Sequence, residues 1–321
     1  MIHTNKTIAK RCSFSQPSIL NPKFLFNPRY WPLLLLYSLL RLLILLPYRI
    51  QMKIGAGIGW LLYRFPSRRR RIIEINLLRC FPELSNQARQ QLVLENFKAM
   101  FMCIFESALA FFASDKKLQP LAHLTGIENL ERALEKGKGV ILLSGHFTTS
   151  DMAVRLLNQH LQKPAHIMYR RHNNLLMEFI MGSGRKRHCE KTIGKKEIVS
   201  LFKSLKDNRI VFYTPDQNAG SRGTFVPFFG ILASTFDVTV RIAKKSDACV
   251  VPFVYGRRTD GTGYDLQLLP ILTDFPGDNL STDVAQINQI IESAARQYPA
   301  QYFWAHQRFR SRPAGESPFY Q

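Results

Sequence analysis

His146 and Asp151 are the residues whose types and spacing most directly suggest chemistry. They lie five positions apart, directly after the apolar run 139–145, where a buried strand is expected to turn into a helix. A carboxylate beside an imidazole holds one tautomer of the ring and favours the imidazolium that forms when the ring takes a proton. No serine or cysteine nucleophile motif lies beside the pair. The pattern therefore predicts that a substrate hydroxyl is activated, and hence direct acyl transfer to an alcohol.

Two structural interpretations fit the same residues. Thr148 and Asp151 match a helix-capping signature, because acidic residues are favoured in the first turn of a helix. His146 alone fits a loop histidine whose hydrogen bonds are satisfied. If the pair is catalytic, the backbone amides from Phe147 onward are expected to form an oxyanion site, because the first amides of a helix have no partner within the helix.

The surrounding hydrophobic pattern predicts an α/β fold with a mostly parallel sheet flanked by helices. The predicted strands are 139–144, 165–169, 209–214, 248–255 and 264–269, and the predicted helices are 126–136, 149–162, 197–206, 238–245 and 281–298. Ligands of such sheets bind beyond the carboxyl ends of the strands. His146, Asp216 and Arg170 each follow a predicted strand, so we expect one site to gather them.

The segment before this module has two parts. The apolar run 31–47, interrupted by Arg41, is followed by apolar residues 48–65 and the basic run 68–71. This order predicts an N-terminal apolar membrane-anchoring helix at an anionic cytoplasmic leaflet, either spanning or interfacial, with a buried core helix as the alternative. Residues 71–113 predict a helical layer, with Ser85 capping its long helix.

These segments define the expected domains. We assign 1–66 to an N-terminal tail and membrane anchor, 67–313 to a catalytic domain and 314–321 to a C-terminal tail.

The charge balance limits the classes of partner. The 321 residues include 44 Lys and Arg and 23 Asp and Glu, which gives a formal net charge of +21. Such a chain attracts nucleic acid, an anionic membrane, an acidic carrier protein or a phosphorylated substrate. No helix-turn-helix, zinc-finger or RNP pattern is present, which disfavours nucleic acid. The five cysteines have no CxxC spacing, which argues against a zinc site or a disulfide framework.

Ordered motifs across 27–313 carry a family resemblance. They are Pro28-Arg29-Tyr30-Trp31-Pro32, Cys80-Phe81-Pro82-Glu83, Gly145-His146 with Asp151, Tyr169-Arg170, Gly184-Arg185, Pro215-Asp216-Gln217, Val251-Pro252-Phe253 and Tyr302-Phe303-Trp304-Ala305-His306. With these motifs the chain resembles the late acyltransferases of lipid A biosynthesis, the lauroyl/myristoyl transferase family. Many lauroyl-type members have glutamate where this chain has Asp151, which leaves the length of the donor chain open.

The resemblance implies an activity and its partners. The enzyme would move a fatty acyl chain from acyl carrier protein to a hydroxyacyl chain of a Kdo-bearing, anionic lipid A precursor. It would work among inner-membrane lipid at the cytoplasmic face of a bacterial inner membrane, with no metal ion and no cofactor. A mannosyl phosphoinositide or another glycolipid is the alternative acceptor, and a non-catalytic membrane scaffold is the alternative class.

The resemblance also assigns roles to residues. His146 and Asp151 would form the family's histidine-x4-acid motif, with Asp151 holding Nδ1–H of the base. Arg185 and Asp216 match two further positions around the active site. Arg185 and Arg170 would bind anionic groups of the acceptor, unless they lie on a solvated face. Asp216 would orient a basic residue or a substrate hydroxyl, with a turn aspartate as the alternative.

Overall fold

The computed structural model describes residues 22–320, so that residues 1–21 of the predicted tail and Gln321 lie outside the described residues. The α-helices are α1 (Pro22–Leu25), α2 (Trp31–Leu43), α3 (Tyr48–Tyr63), α4 (Arg68–Cys80), α5 (Asn86–Phe112), α6 (Asp115–Leu118), α7 (Ile127–Glu135), α8 (Ser150–Leu157), α9 (Leu175–Arg185), α10 (Ile198–Lys206), α11 (Val238–Ser246) and α12 (Leu280–Gln297). The strands are β1 (Ala122–Thr125), β2 (Val140–Leu143), β3 (His166–Tyr169), β4 (Thr192–Gly194), β5 (Ile210–Tyr213), β6 (Thr224–Phe228), β7 (Ile231–Thr235), β8 (Cys249–Arg257) and β9 (Tyr264–Leu268).

One seven-stranded sheet organises the protein, in the order β1-β9-β8-β2-β5-β3-β4. β2 lies at its centre and runs parallel to both β5 and β8, and β3 runs parallel to β5 and β4. The pairing of β8 with β9 is antiparallel. All four residues of β2 are buried, as expected for a strand covered on both faces. The predicted α/β fold with a mostly parallel sheet is confirmed.

The long helix α5 joins the helical layer to the sheet. The side chain of Ser85 accepts a hydrogen bond from the Ala88 amide and so caps α5 as predicted. Further along α5, both oxygens of the buried Glu106 accept hydrogen bonds from Arg257, at the end of β8, at 2.7 Å each. Tyr264 donates a third hydrogen bond to Glu106. This network satisfies two opposite charges that would be costly to bury alone.

The apolar run 31–47 does not form the single apolar membrane-anchoring helix that was predicted. Helix α2 ends at Leu43, and α3 begins after Pro47. The side-chain amide of Gln51 donates to the carbonyls of Ile44 and Leu46, which stabilises the turn between the two helices. Within residues 22–320, no helix has both the length and the apolar character needed to cross a membrane.

Close packing against α5 fixes the position of α3. A methyl group added at Gly55 would lie 2.8 Å from the Cα of Met102, and one added at Gly59 would lie 2.6 Å from the Cα of Lys98. The two glycines are four residues apart and therefore share one face of α3. Their missing side chains let the backbones of α3 and α5 approach each other.

Helix α2 keeps an exposed apolar face. Leu35, Leu39 and Leu42 are 73%, 49% and 65% exposed, and their spacing places them along one side of the helix. On another side, the ring of Tyr37 packs edge-on against Phe112 at the end of α5, 5.5 Å between ring centres. We call the leucine side the apolar face of α2.

Candidate active site

The strand β2 delivers His146 to the carboxyl edge of the sheet. The strand ends at Leu143, and Gly145 follows in a tightly packed loop. A methyl group added at Gly145 would lie 2.7 Å from Ile291 and 3.3 Å from a carboxylate oxygen of Asp216. Only glycine fits this approach without displacing its neighbours.

The backbone on both sides of Phe147 is held by the segment near residue 302. Phe147 and Tyr302 form an isolated antiparallel bridge. The His146 carbonyl accepts from the Phe303 amide at 2.9 Å, and the Thr148 amide donates to the Gln301 carbonyl at 2.8 Å. The His146 backbone is therefore fixed before α8 begins.

Asp216 is the carboxylate that holds the imidazole. The two parallel strands β2 and β5 pair Leu143 with Tyr213, so that residues three positions beyond each strand lie opposite each other. Asp216 Oδ1 is 2.5 Å from His146 Nδ1, and Asp216 Oδ2 accepts from the His146 backbone amide at 2.8 Å. Asp216 was predicted to orient either a basic residue or a substrate hydroxyl. The structure shows a contact of the first kind, with His146.

The electrostatics of the pair fix the tautomer. Burial alone would raise the pKa of the Asp216 carboxyl, but the charge and hydrogen bonds of His146 lower it to about 2, with a contribution from Tyr302. Burial would lower the pKa of His146, but the charge and hydrogen bond of Asp216 raise it. An ionised carboxylate only accepts hydrogen bonds, so Nδ1 carries the hydrogen and the neutral ring keeps its lone pair on Nε2.

Asp151 has a different partner from the one predicted. Its Oδ1 accepts from Arg185 Nε at 2.9 Å and its Oδ2 from Arg185 Nη2 at 3.2 Å. Ser107 of α5 also donates to Oδ2, at 3.4 Å. The expectation that Asp151 holds Nδ1 of His146 is therefore corrected. Asp151 lies in the first turn of α8, which directs its side chain toward the end of α9, while the register of β2 and β5 gives the imidazole to Asp216.

The Asp151–Arg185 pair is largely enclosed. Its side chains are 17% and 13% exposed. Burial would lower the pKa of Arg185, but the charge and hydrogen bonds of Asp151 raise it. The Arg185 guanidinium also lies 5.8 Å from the ring centre of Tyr169. Arg170 lies exposed directly after β3, at the same edge of the sheet as His146 but beyond β5.

Two polar side chains lie beside Nε2 of the partly exposed His146. The His146 side chain is 36% exposed. Thr214 Oγ1 and Gln217 Nε2 each lie 3.3 Å from His146 Nε2. Sequence reasoning did not assign these two residues a role, although Gln217 adjoins Asp216 in a motif that directly follows a predicted strand.

A second histidine holds the segment that carries Asp216 and Gln217. His306 Nε2 accepts a hydrogen bond from the Asn218 backbone amide at 3.0 Å. Burial lowers the pKa of His306 to about 4, so the ring stays neutral and keeps accepting this bond near pH 7. The segment is thereby fastened on both sides of Gln217.

Ser150, in the first turn of α8, makes its hydrogen bonds to residues other than His146. Ser150 Oγ donates to the Phe147 carbonyl at 2.6 Å and accepts from the Tyr255 hydroxyl at 2.9 Å. It is not bonded to His146, so the arrangement is not that of a serine nucleophile and its base. A partly exposed, oriented imidazole with its lone pair on Nε2 is suited to take a proton from a hydroxyl that a substrate supplies.

Comparison with known proteins gives the same class of chemistry. The family described as bacterial lipid A biosynthesis acyltransferase matches residues 21–311. The chain belongs to this family. It is accordingly an acyltransferase, and the resemblance read from the ordered motifs is confirmed.

Individual relatives within the family differ in the acyl chain that their names state. The chain is similar to the lipid A biosynthesis lauroyltransferase of Escherichia coli strain K12, with 36% identity over 299 residues, 92% of this chain and 97% of the relative. It is also similar to the palmitoleoyltransferase of that strain, with 33% identity over 312 residues, 97% of this chain and 99% of the relative. The myristoyltransferase of that strain is 26% identical over 294 residues, 90% of each chain.

Proposed function

We propose that this acyltransferase moves a fatty acyl chain from an acyl carrier protein thioester to the hydroxyl of a hydroxyacyl chain on a Kdo-bearing lipid A precursor. The observation that carries the proposal is the His146–Asp216 pair, whose partly exposed ring keeps its lone pair on Nε2 at the carboxyl edge of the sheet. Family membership supplies the acyl chemistry, and the names of the relatives supply the lipid A acceptor.

In the proposed mechanism, His146 is the general base. Nε2 takes the proton of the acceptor hydroxyl as its oxygen attacks the thioester carbonyl, and Asp216 stabilises the imidazolium that forms. General-base catalysis of this kind contributes about 10²–10⁴-fold to the rate. The thiolate of the carrier then leaves and takes the proton back from Nε2. No acyl-enzyme intermediate forms.

The histidine and the acid of the histidine-x4-acid motif have separate roles in this proposal. His146 acts on the hydroxyl, whereas Asp151 holds Arg185 at the junction of α8 and α9. A fixed guanidinium binds phosphate or carboxylate groups through paired N–H donors. Arg185, and the exposed Arg170 after β3, are therefore proposed to bind anionic groups of the acceptor.

The proposal also includes a membrane location. The apolar face of α2 supports contact with the acyl region of a bilayer, and the basic run 68–71 at the start of α4 supports contact with anionic headgroups. We accordingly propose that the enzyme works on inner-membrane lipid at the cytoplasmic face of a bacterial inner membrane. The net charge of +21 also suits the acidic surface of an acyl carrier protein.

A transfer assay tests the reaction. Detergent-solubilised protein is given lauroyl, myristoyl, palmitoyl and palmitoleoyl carrier-protein thioesters with a Kdo-bearing tetraacyl acceptor, and mass spectrometry identifies the product. We expect a mass gain of one acyl chain with wild-type protein and none with His146→Ala. The preferred thioester identifies the donor, which the differing names of the relatives leave open.

A matched histidine serves as the control. His123 also contacts an aspartate, since its Nδ1 is 3.0 Å from Asp265 Oδ1, but it lies at the surface with a 60% exposed side chain. His123→Ala is expected to keep wild-type transfer. Folded wild-type protein that transfers no chain to the lipid A precursor, yet acylates a mannosyl phosphoinositide, would contradict the proposed acceptor.

Flotation with vesicles tests the membrane contact. We expect wild-type protein to bind vesicles of phosphatidylglycerol and phosphatidylethanolamine, and the double variant Leu35→Glu, Leu39→Glu to bind them at least tenfold more weakly. Val199→Glu introduces a charge at a residue that is 85% exposed on α10 and is expected to leave binding unchanged. Equal binding by all three proteins would contradict the assignment of the apolar face of α2.

A further inference from the structure

The side-chain amide of Gln217 lies beside Nε2 of His146. Gln217 is exposed, and its Nε2 lies 3.3 Å from His146 Nε2. The hydroxyl oxygen of Thr214 also lies 3.3 Å from His146 Nε2. Because Nδ1 of the ring carries the hydrogen, both neighbours are donors toward the lone pair on Nε2.

The backbone amides predicted to hold an oxyanion are largely committed elsewhere. The His146 amide donates to Asp216, and the Phe147 amide donates to Ser150 Oγ at 3.3 Å. The Thr148 amide donates to the Gln301 carbonyl. The Phe147 and Thr148 amides, the first two of the predicted oxyanion site, therefore already donate to other acceptors. A side-chain donor beside Nε2 is the alternative for a thioester carbonyl that approaches this atom.

Gln217 has the hydrogen-bonding capacity that this position requires. Its amide group carries two N–H donors in one plane, so that one can point at Nε2 while the other points at a neighbouring acceptor. The hydroxyl of Thr214 has a single hydrogen. The backbone on either side of Gln217 is also fixed, by the bonds of Asp216 to His146 and of Asn218 to His306. A donor held in place before the reaction stabilises developing charge with little reorganisation.

We infer that Gln217 donates a hydrogen bond from its side-chain amide to the thioester carbonyl oxygen of the acyl donor and stabilises the oxyanion. The inference rests on the proposed thioester transfer. The acceptor oxygen forms its bond to the carbonyl carbon as its proton passes to His146 Nε2, and the carbonyl electrons move to the oxygen that Gln217 binds. When the oxyanion collapses, the carbon–sulfur bond breaks and the thiolate takes the proton from Nε2.

Replacement of Gln217 by methionine tests the inference, because methionine has a similar length and no N–H donor. With the preferred thioester and acceptor, Gln217→Met is expected to lower kcat by about 10²–10³-fold, the usual effect of removing one oxyanion donor. KM is expected to stay within threefold, because the bond forms mainly in the transition state.

Two further variants separate Gln217 from its surroundings. Gln90→Met changes an exposed glutamine on α5 and is expected to keep wild-type kcat. Thr214→Val is expected to lower kcat less than Gln217→Met. The inference is overturned if Gln217→Met loses less than tenfold in kcat, if its effect lies in KM, or if Thr214→Val is the more damaging change.

The same assays distinguish failure of the Gln217 inference from failure of the proposed function. Transfer by wild-type protein and its loss in His146→Ala, together with wild-type kcat in Gln217→Met, would overturn the inference alone. Absence of transfer by folded wild-type protein with every donor and acceptor would overturn both.

Discussion

Asp216→Asn is expected to reverse the tautomer of His146, because Asp216 accepts two hydrogen bonds from this residue. In the native protein, Oδ2 of Asp216 accepts from the His146 backbone amide and Oδ1 accepts from Nδ1–H. An asparagine has one acceptor oxygen and one NH2 group. The backbone amide can only donate, so it retains the oxygen, and the NH2 group faces Nδ1. The ring must then accept at Nδ1 and carry its hydrogen on Nε2.

This reversal removes the lone pair from the side of the ring that faces substrate. Replacement of the equivalent aspartate by asparagine in a serine–histidine–aspartate triad lowers kcat by about 10⁴-fold for the same reason. That factor corresponds to about 5 kcal/mol of transition-state stabilisation. We expect Asp216→Asn to lower kcat for acyl transfer by a similar factor, with KM within threefold and the fold preserved.

Asp151→Asn is the matched comparison, because it makes the same chemical change five residues after His146. It weakens two hydrogen bonds to Arg185, so we expect a loss of about 2–3 kcal/mol in the free energy of unfolding and a smaller loss of kcat than in Asp216→Asn. Steady-state transfer assays measure both variants. The account is refuted if Asp216→Asn keeps more than a tenth of wild-type kcat, or if Asp151→Asn is the more damaging change.

Three further predictions concern pH dependence and packing. Because Asp216 raises the pKa of His146 above its ordinary value, kcat/KM should increase with pH through a midpoint above 6.5, and a pH–rate profile with a lower midpoint would contradict the pairing. Glu106→Gln leaves the buried Arg257 without a counter-charge and should lower the free energy of unfolding, measured in urea, by about 3–5 kcal/mol. A loss below about 1 kcal/mol would contradict this expectation. Gly184→Ala places a methyl group 2.3 Å from an aromatic ring and should cost about 1–3 kcal/mol, whereas Gly57→Ala, which meets open space, should not lower the melting temperature.

The sequence predicted the position of the site because that position depends on local pattern. The apolar run before His146 is long enough for a buried strand, and residues after such strands gather at one edge of a parallel sheet. The same rule indicated Asp216. The identity of the contact could not be predicted in this way, because it depends on the register of β2 against β5 across 70 residues of chain.

Asp151 illustrates the opposite case. Its spacing from His146 suggested a direct contact, but the first turn of α8 determines where its side chain points. Arg185, 34 residues later in the chain, supplies the contact that the carboxylate makes. Nearness in sequence was therefore a weaker guide than the pairing of two strands.

Sequence reasoning missed β1, β4, α9 and the hairpin of β6 and β7, and the hairpin shows a physical reason. The antiparallel hairpin of β6 and β7 contains Pro227, which disfavours a strand prediction. Its turn has Phe229 and Gly230 at positive φ, 54° and 73°, rather than the usual Asn-Gly pair. Hydropathy also could not show that the apolar run 31–47 is divided before Pro47, because the turn there is held by Gln51 and by the packing of α3 on α5.

The most direct measurement replaces His146 by Nε2-methylhistidine, introduced biosynthetically, and follows acyl transfer in a single turnover. The methyl group replaces the lone pair on Nε2, and the ring can donate from Nδ1 to Asp216 only in its cationic form. We expect a folded protein whose transfer rate falls to that of His146→Ala. Transfer at the wild-type rate would contradict the claim that His146 Nε2 takes the proton of the acceptor hydroxyl.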